Sequence, residues 1–148
     1  VAAIDRSRRI AAGPQSVWDV LADFGSISSW AGNIDHSCIL NQGSEPTGTT
    51  RRVQIGRNAL VETITEFDPT RALGYDVDGL PERVCRFNNR WSLRPAADGG
   101  TVVTLTSTVE IGSGPMHKLA ERAVCRVQVR QSDIMLAGLA NRLEQPRD

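Results

Sequence analysis

Histidine is almost missing: His36 and His117 are the only two among 148 residues. Neither stands at ligand spacing from a cysteine, aspartate or glutamate, so the usual donor set for a zinc centre is lacking. No metal and no cofactor are expected. Cysteine is equally scarce. Cys38, Cys85 and Cys125 are odd in number, widely spaced and without a CxxC pair, which argues against a zinc ribbon or a disulfide scaffold and for free thiols in a reducing compartment. Net charge is absent as well, because 17 Lys and Arg balance 17 Asp and Glu. The total charge therefore favours neither nucleic acid nor an anionic membrane. The basic clusters Arg6/Arg8/Arg9 and Arg51/Arg52 read at first as solvated strand faces. No apolar run reaches the roughly 18 residues of a membrane span. The first ten residues hold Asp5, Arg6, Arg8 and Arg9 rather than a signal-like apolar core. A cytoplasmic protein without stable membrane insertion is expected. Finally, there is no GxSxG, P-loop or GxGxxG motif, so hydrolytic, phosphoryl-transfer and redox chemistry lose their usual signatures.

What the chain does have is length and period. A chain of this size buries about 68–70% of its unfolded surface, enough for one domain over residues 1–148 with a core of its own. Its longest periodic stretch runs from Pro115 to Glu144, rich in Ala, Leu, Arg and Glu, with a first-turn proline and no other. Advancing about 100° per residue puts Met116, Ala120, Ala123, Val127, Ile134, Met135 and Gly138 on one side, with Gln131 among them. Small and flexible side chains leave the surface they cover incompletely filled, so a helix that closes a cavity is expected. Gly112-Ser113-Gly114 reads as the hinge into this helix rather than as an anion site.

Ahead of it the period is that of strands. Residues 2–11 alternate until Gly13-Pro14, and Val17, Trp18, Leu21 and Phe24 then mark a short amphipathic helix from Pro14 to Phe24. Gly25 to Gly32 forms a further helical turn and a loop, with Trp30 as a packing anchor. Strands follow at His36–Leu40, Thr49–Ile55, Ala59–Phe67, Ala72–Val77, Val84–Arg94 and Thr101–Ile111, joined by turns short enough to demand an antiparallel meander. If Gly56 to Ala59 form the hairpin loop, Ile55 faces Leu60, Val53 faces Glu62 and Arg51 faces Ile64. Arg51 and Glu62 are then diagonal neighbours on one side, and their heads are expected to approach closely or to share a bridging water inside the cavity.

Alternation assigns the faces. Cys85, Phe87, Asn89, Trp91 and Leu93 share the inner side with Val103, Leu105, Ser107, Val109 and Ile111. Arg51, Val53, Ile55, Leu60, Glu62, Ile64, Tyr75 and Val77 join them. Polar groups at Arg51, Glu62, Tyr75, Asn89 and Ser107 thus stand on an apolar wall, tolerable only if paired or reached by cavity water. The alternative is a register one residue off, with Arg51 and Glu62 on the solvent side.

A strand, a helix opening at a proline, six more strands and a long helix resemble the START-like helix-grip (SRPBCC) superfamily. Pro14-Gln15-Ser16-Val17-Trp18-Asp19-Val20-Leu21-Ala22-Asp23-Phe24 is similar to its first helix, with Trp30 at the expected interval. Gly48-Thr49-Thr50-Arg51, Glu62 within Leu60–Ile64, Asp68, the Tyr75 strand and Gly100-Thr101-Val102-Val103 fall in its usual places, nearest the bacterial polyketide cyclase/dehydrase-like and lipid-transport-like branch. The resemblance implies an α+β fold, a curved seven-stranded antiparallel sheet gripping the C-terminal helix, around a cavity for lipids, sterols, hormones or aromatic polyketides. By position, Val53, Ile55, Glu62, Tyr75, Val77, Leu105, Val127, Gln131 and Met135 match lining places, and the inner faces add Arg51, Asn89 and Trp91. A cavity of about 300–1,000 Å³ is expected, the size of ordinary ligand sites. Two functions fit. One is binding or transport of a small apolar or aromatic molecule; the other is an aromatase/cyclase, with Glu62 or Tyr75 moving protons and Arg51 stabilising an enolate. An interaction protein with a filled core is the third possibility.

Overall fold

Strict alternation in Thr101–Ile111 buries Val103, Leu105, Ser107 and Val109 and leaves the residues between them half-exposed, the signature of a strand packed on one face. The computed structural model, which describes residues 1–81, 83–112 and 114–144, repeats this pattern through one antiparallel sheet. Its strands are β1 (Ala2–Ile10), β2 (His36–Asn41), β3 (Thr50–Ile55), β4 (Asn58–Asp68), β5 (Ala72–Asp78), β6 (Val84–Pro95) and β7 (Thr101–Ile111). The spatial order is β1-β7-β6-β5-β4-β3-β2, and every neighbouring pair is antiparallel. Helix α1 (Pro14–Ala22), a 3₁₀ helix (Phe24–Ser29) and helix α2 (His117–Glu144) complete the fold. The α+β architecture, with a curved seven-stranded sheet and a long C-terminal helix, is thus as expected. Ser113 of the expected hinge lies outside the described residues.

The β3–β4 hairpin departs from expectation in register. Ile55 pairs with Asn58, Val53 with Leu60 and Arg51 with Glu62. Asn58 and Ala59 belong to the strand, and the turn is Gly56-Arg57 alone, with Gly56 at φ +58°. A two-residue hairpin turn needs positive φ at its first central residue in the II′ form, which glycine adopts freely. Because the slip is two residues, side-chain parity is preserved and every inner residue stays inside. Arg51 and Glu62 are therefore directly opposite rather than diagonal. A one-residue bulge in β6 between Val84 and Arg86 has the other outcome: it turns Cys85 outward, against the expected inner place.

Helix α2 needs the larger correction. Its buried residues are Glu121, Gln128, Ser132, Met135, Leu136, Leu139 and Ala140, whereas Met116, Ala123 and Ile134 are exposed and Val127 is 62% exposed. The expected stripe was rotated by roughly one residue step. Leu136, Leu139 and Ala140 are the strong apolar group, and a straight helix that seats them on the core also turns Ser132, Gln128 and Glu121 inward. Gly138 is small for a different reason from the one expected. A Cβ there would lie 2.0 Å from the Trp30 carbonyl oxygen, so the glycine permits close approach of α2 to the Trp30-Ala31 segment.

Packing divides the inner face of the sheet. Helix α2 lies over β1 and β7, and the 3₁₀ helix lies over β2 and β3. Trp30 fills part of the interval, edge-on to Trp91 at 5.7 Å between ring centroids. Trp18 meets Phe67 similarly at 5.1 Å. Helix α1 touches β6, and Phe24 of the 3₁₀ helix sits edge-on to Tyr75 of β5; beyond these contacts the inner face of β4, β5 and β6 is only partly covered.

Candidate ligand cavity

That uncovered interval is a cavity of about 380 Å³. Its sheet wall comes from Leu60 and Glu62 of β4, Tyr75 and Val77 of β5, and Phe87 and Asn89 of β6; Ile55 and Asn58 stand at the β3–β4 turn. Val127, Gln131 and Met135, spaced by four residues, face it from α2 with Gln128 beside them. Asn33, Ile34, Gly79, Leu80 and Pro81 complete the lining from two loops. A larger groove of about 760 Å³ shares Val77, Gly79, Leu80 and Phe87 with the cavity, but its polar lining of Asp76, Asp78, Arg86, Asn88, Thr108 and Glu110 alternates with the inner residues and so lies on the outer side of the sheet.

Of the twelve residues expected to contact ligand, Ile55, Glu62, Tyr75, Val77, Asn89, Val127, Gln131 and Met135 line this cavity. Arg51, Val53, Trp91 and Leu105 do not. All four point inward and are buried, but Val53, Trp91 and Leu105 belong to the packed core, and Arg51 stands behind Glu62. Alternation identifies the face; it says nothing about which stretch of that face another element covers. Leu60 and Phe87 were legible as inner residues from the same alternation. Gln128 was hidden by the helix phase, and Asn33, Ile34, Gly79, Leu80 and Pro81 lie in loops without a period.

The polar residues form a band across the strands. Arg51 is opposite Glu62, Tyr75 is opposite Asn89, and Asn89 is opposite Ser107. Glu62 pairs with Val77, two residues from Tyr75. Arg51 Nε donates to Glu62 Oε1 at 2.8 Å and Nη1 donates to the Phe24 carbonyl at 2.8 Å. The guanidinium also lies over two rings, 3.7 Å from the Phe24 centroid and 4.6 Å from that of Tyr75. Pairing, hydrogen bonds and ring faces together make a cation tolerable at 2% exposure.

At the other end of the band, Ser107 Oγ bonds Asn89 Oδ1 at 2.6 Å and Gln128 Nε2 donates to Ser107 Oγ at 3.1 Å. This chain explains why a polar residue of α2 is buried: it satisfies the sheet below it. Tyr75 Oη accepts from Trp91 Nε1 at 3.2 Å. Burial pushes the Tyr75 phenol above its ordinary pKa, the negative charge of Glu62 pushes it further, and Arg51 opposes both. Asn33 Nδ2 donates to Gln131 Oε1 at 2.7 Å and ties a lining loop to α2. Among the described residues, no group of His, Cys, Asp and Glu is placed to hold a metal ion.

Residues 1–144, which hold this cavity and its polar band, match the family described as polyketide cyclase / dehydrase and lipid transport. The chain belongs to that family. The family match spans every described residue, so it covers the sheet, α2 and the cavity together. No curated protein is similar enough in sequence to be matched. Among solved structures, the ZhuI aromatase/cyclase from Streptomyces sp. R1128 superposes with a TM-score of 0.81 at 19% identity, covering 97% of this chain and 93% of that one. A START superfamily protein from Mycobacterium smegmatis gives 0.71 at 17% identity, with 97% of each chain covered. A Thermobifida fusca protein gives 0.76 at 23% identity, covering 100% of this chain and 99% of that one. At these identities the family's common fold is what is shared.

Proposed function

We propose that this family member binds a small apolar or aromatic molecule, lipid- or polyketide-like, in the cavity between β4–β6 and α2. The observation that carries the reading is a cavity of about 380 Å³ whose wall combines Leu60, Val77, Phe87 and Met135 with a few oriented polar groups. Ligand sites have this composition: apolar area supplies affinity, and scarce polar groups set orientation. Native mass spectrometry of the purified protein tests it directly. A retained apolar or aromatic compound, lost in Met135→Trp, is the expected result; identical empty spectra for both proteins, with no uptake of added aromatic probes, would overturn it.

A second reading, aromatase/cyclase chemistry, is supported by Glu62 and Tyr75 both reaching the cavity and by the activity named for the Streptomyces neighbour. Two features weigh against it. Arg51 stands behind Glu62 and has no place on the cavity wall from which to stabilise an enolate. Burial raises the pKa of the Tyr75 phenol, taking it further above neutral pH, whereas acid–base catalysts work best near the operating pH. Turnover of a poly-β-ketone analogue, abolished in Glu62→Gln with the analogue still bound, would favour this reading over simple binding.

A further inference from the structure

We infer that the ligand presents a neutral hydroxyl group, a phenol or alcohol, to the polar band, with Glu62 as its acceptor; this rests on the binding reading above. Glu62 Oε1 is held by Arg51, while Oε2 has no hydrogen-bond partner among the described residues. Nor is Oε2 one of the sealed, unsatisfied atoms, which among the described residues are Trp30 Nε1, Asn33 Oδ1, Arg51 Nη2 and Glu121 Oε2. Since Glu62 lines the cavity, Oε2 opens on it. A buried carboxylate oxygen with no donor is a strong site for one, because hydrogen bonds to ionised acceptors are roughly twice as strong as neutral ones.

The neighbouring groups decide which donor. Asn89 Oδ1 accepts from Ser107 and the Tyr75 oxygen accepts from Trp91, so the groups these residues leave without a hydrogen-bond partner are N–H and O–H. A group that meets Glu62 and also Tyr75 or Asn89 must both donate and accept. Hydroxyl does both; a methyl ether only accepts. A carboxylate would face the Glu62 oxygen with its own charge, in a setting where like charges repel strongly. An ammonium can donate to Oε2 but has no lone pair with which to accept from Tyr75 or Asn89, and it must leave water to reach a carboxylate that Arg51 already pairs. The remainder of the ligand lies along Leu60, Val77 and Phe87, which leaves its apolar body away from the band.

Calorimetric titration of the whole chain at pH 7 with 2-naphthol, 2-methoxynaphthalene and 2-naphthoate tests the inference on one skeleton. The expected order is naphthol over ether by about tenfold or more, with naphthoate weakest. Glu62→Gln should shrink the naphthol advantage by about the same factor while ether binding persists. Should that variant fail to fold, the double substitution Arg51→Met with Glu62→Leu removes both charges together and should bind the two neutral probes alike. Equal naphthol and ether affinity in the natural chain, or a preference for naphthoate, would overturn the hydroxyl inference and leave cavity binding standing. Failure of all three probes to bind would remove the binding reading and this inference with it.

Discussion

Arg51 and Glu62 are buried together, and their energetics differ according to whether one or both are changed. Removing one partner strands a charge away from water and costs about 3–5 kcal/mol, whereas replacing both by apolar groups of similar volume is near neutral. Glu62→Leu alone should therefore lower the urea midpoint strongly, and Arg51→Met added to it should restore most of the loss. Additive losses would show that the two side chains do not act as a pair. Tyr75 gives a second prediction at this scale. It is the only tyrosine, and its folded pKa is raised above the ordinary 10.0, chiefly by burial. Above pH 10 the unfolded chain loses this proton before the folded one, so ionisation favours unfolding. The contribution is intact below the unfolded value and is lost as pH rises from there through the folded value. Tyrosinate absorbance should appear together with loss of the folded circular dichroism signal, and Tyr75→Phe should weaken the alkaline decline. A free phenol titrating at its ordinary value in folded protein would contradict the burial.

At the scale of elements, α2 and the β3–β4 hairpin show what periodicity can and cannot establish. A strand's alternation is tolerant: the hairpin register was two residues from expectation, yet Arg51, Val53, Leu60 and Glu62 all kept their face, because the side-chain period is two. A helix is less forgiving. One step is about 100°, and a stripe that mixes Gln128 and Ser132 with Leu139 does not identify itself as buried. Its partners, Ser107 and the core around Leu136, come from other parts of the chain. Gly138 offers the measurable consequence. A Cβ there meets the Trp30 carbonyl at 2.0 Å, whereas one at Gly13 meets nothing within 4 Å. Gly138→Ala should destabilise by about 1–3 kcal/mol, the usual range for overpacking, and Gly13→Ala should stay within about 1 kcal/mol. Equal unfolding midpoints for these two variants would mean that α2 does not press on the Trp30 segment.

The cavity is a property of the whole molecule. It exists because α2 covers β1 and β7 while the 3₁₀ helix covers β2 and β3, leaving the inner residues of β4–β6 partly unfilled. Filling it is the simplest test at this scale. Met135 is buried in α2 and lines the space, so Met135→Trp should abolish probe uptake while the fold persists. On the opposite face, Arg94 is exposed and its replacement by Ala should leave uptake unchanged. A bound ligand should also raise the melting temperature in proportion to the logarithm of its free concentration over Kd. That increase should vanish in Met135→Trp and survive in Arg94→Ala; its survival in both would place the ligand elsewhere.

The sequence by itself determined the element order, the antiparallel meander, the long C-terminal helix and the inward face of each central strand. These depend on turn residues and on periods of two or about 3.6 residues, which are local. It also determined that polar residues stand on the inner wall. Tertiary structure alone decided that Trp91, Leu105 and Val53 are closed off from the cavity whereas Val77, Phe87 and Asn89 line it, since that distinction depends on where α2 and Trp30 come to rest. It likewise decided that Arg51, paired with Glu62 as the inner faces lead one to expect, stands behind it rather than on the cavity wall. The face a side chain takes is a relation to its own strand; exposure to a cavity is a relation among elements distant in sequence, and no local period encodes it.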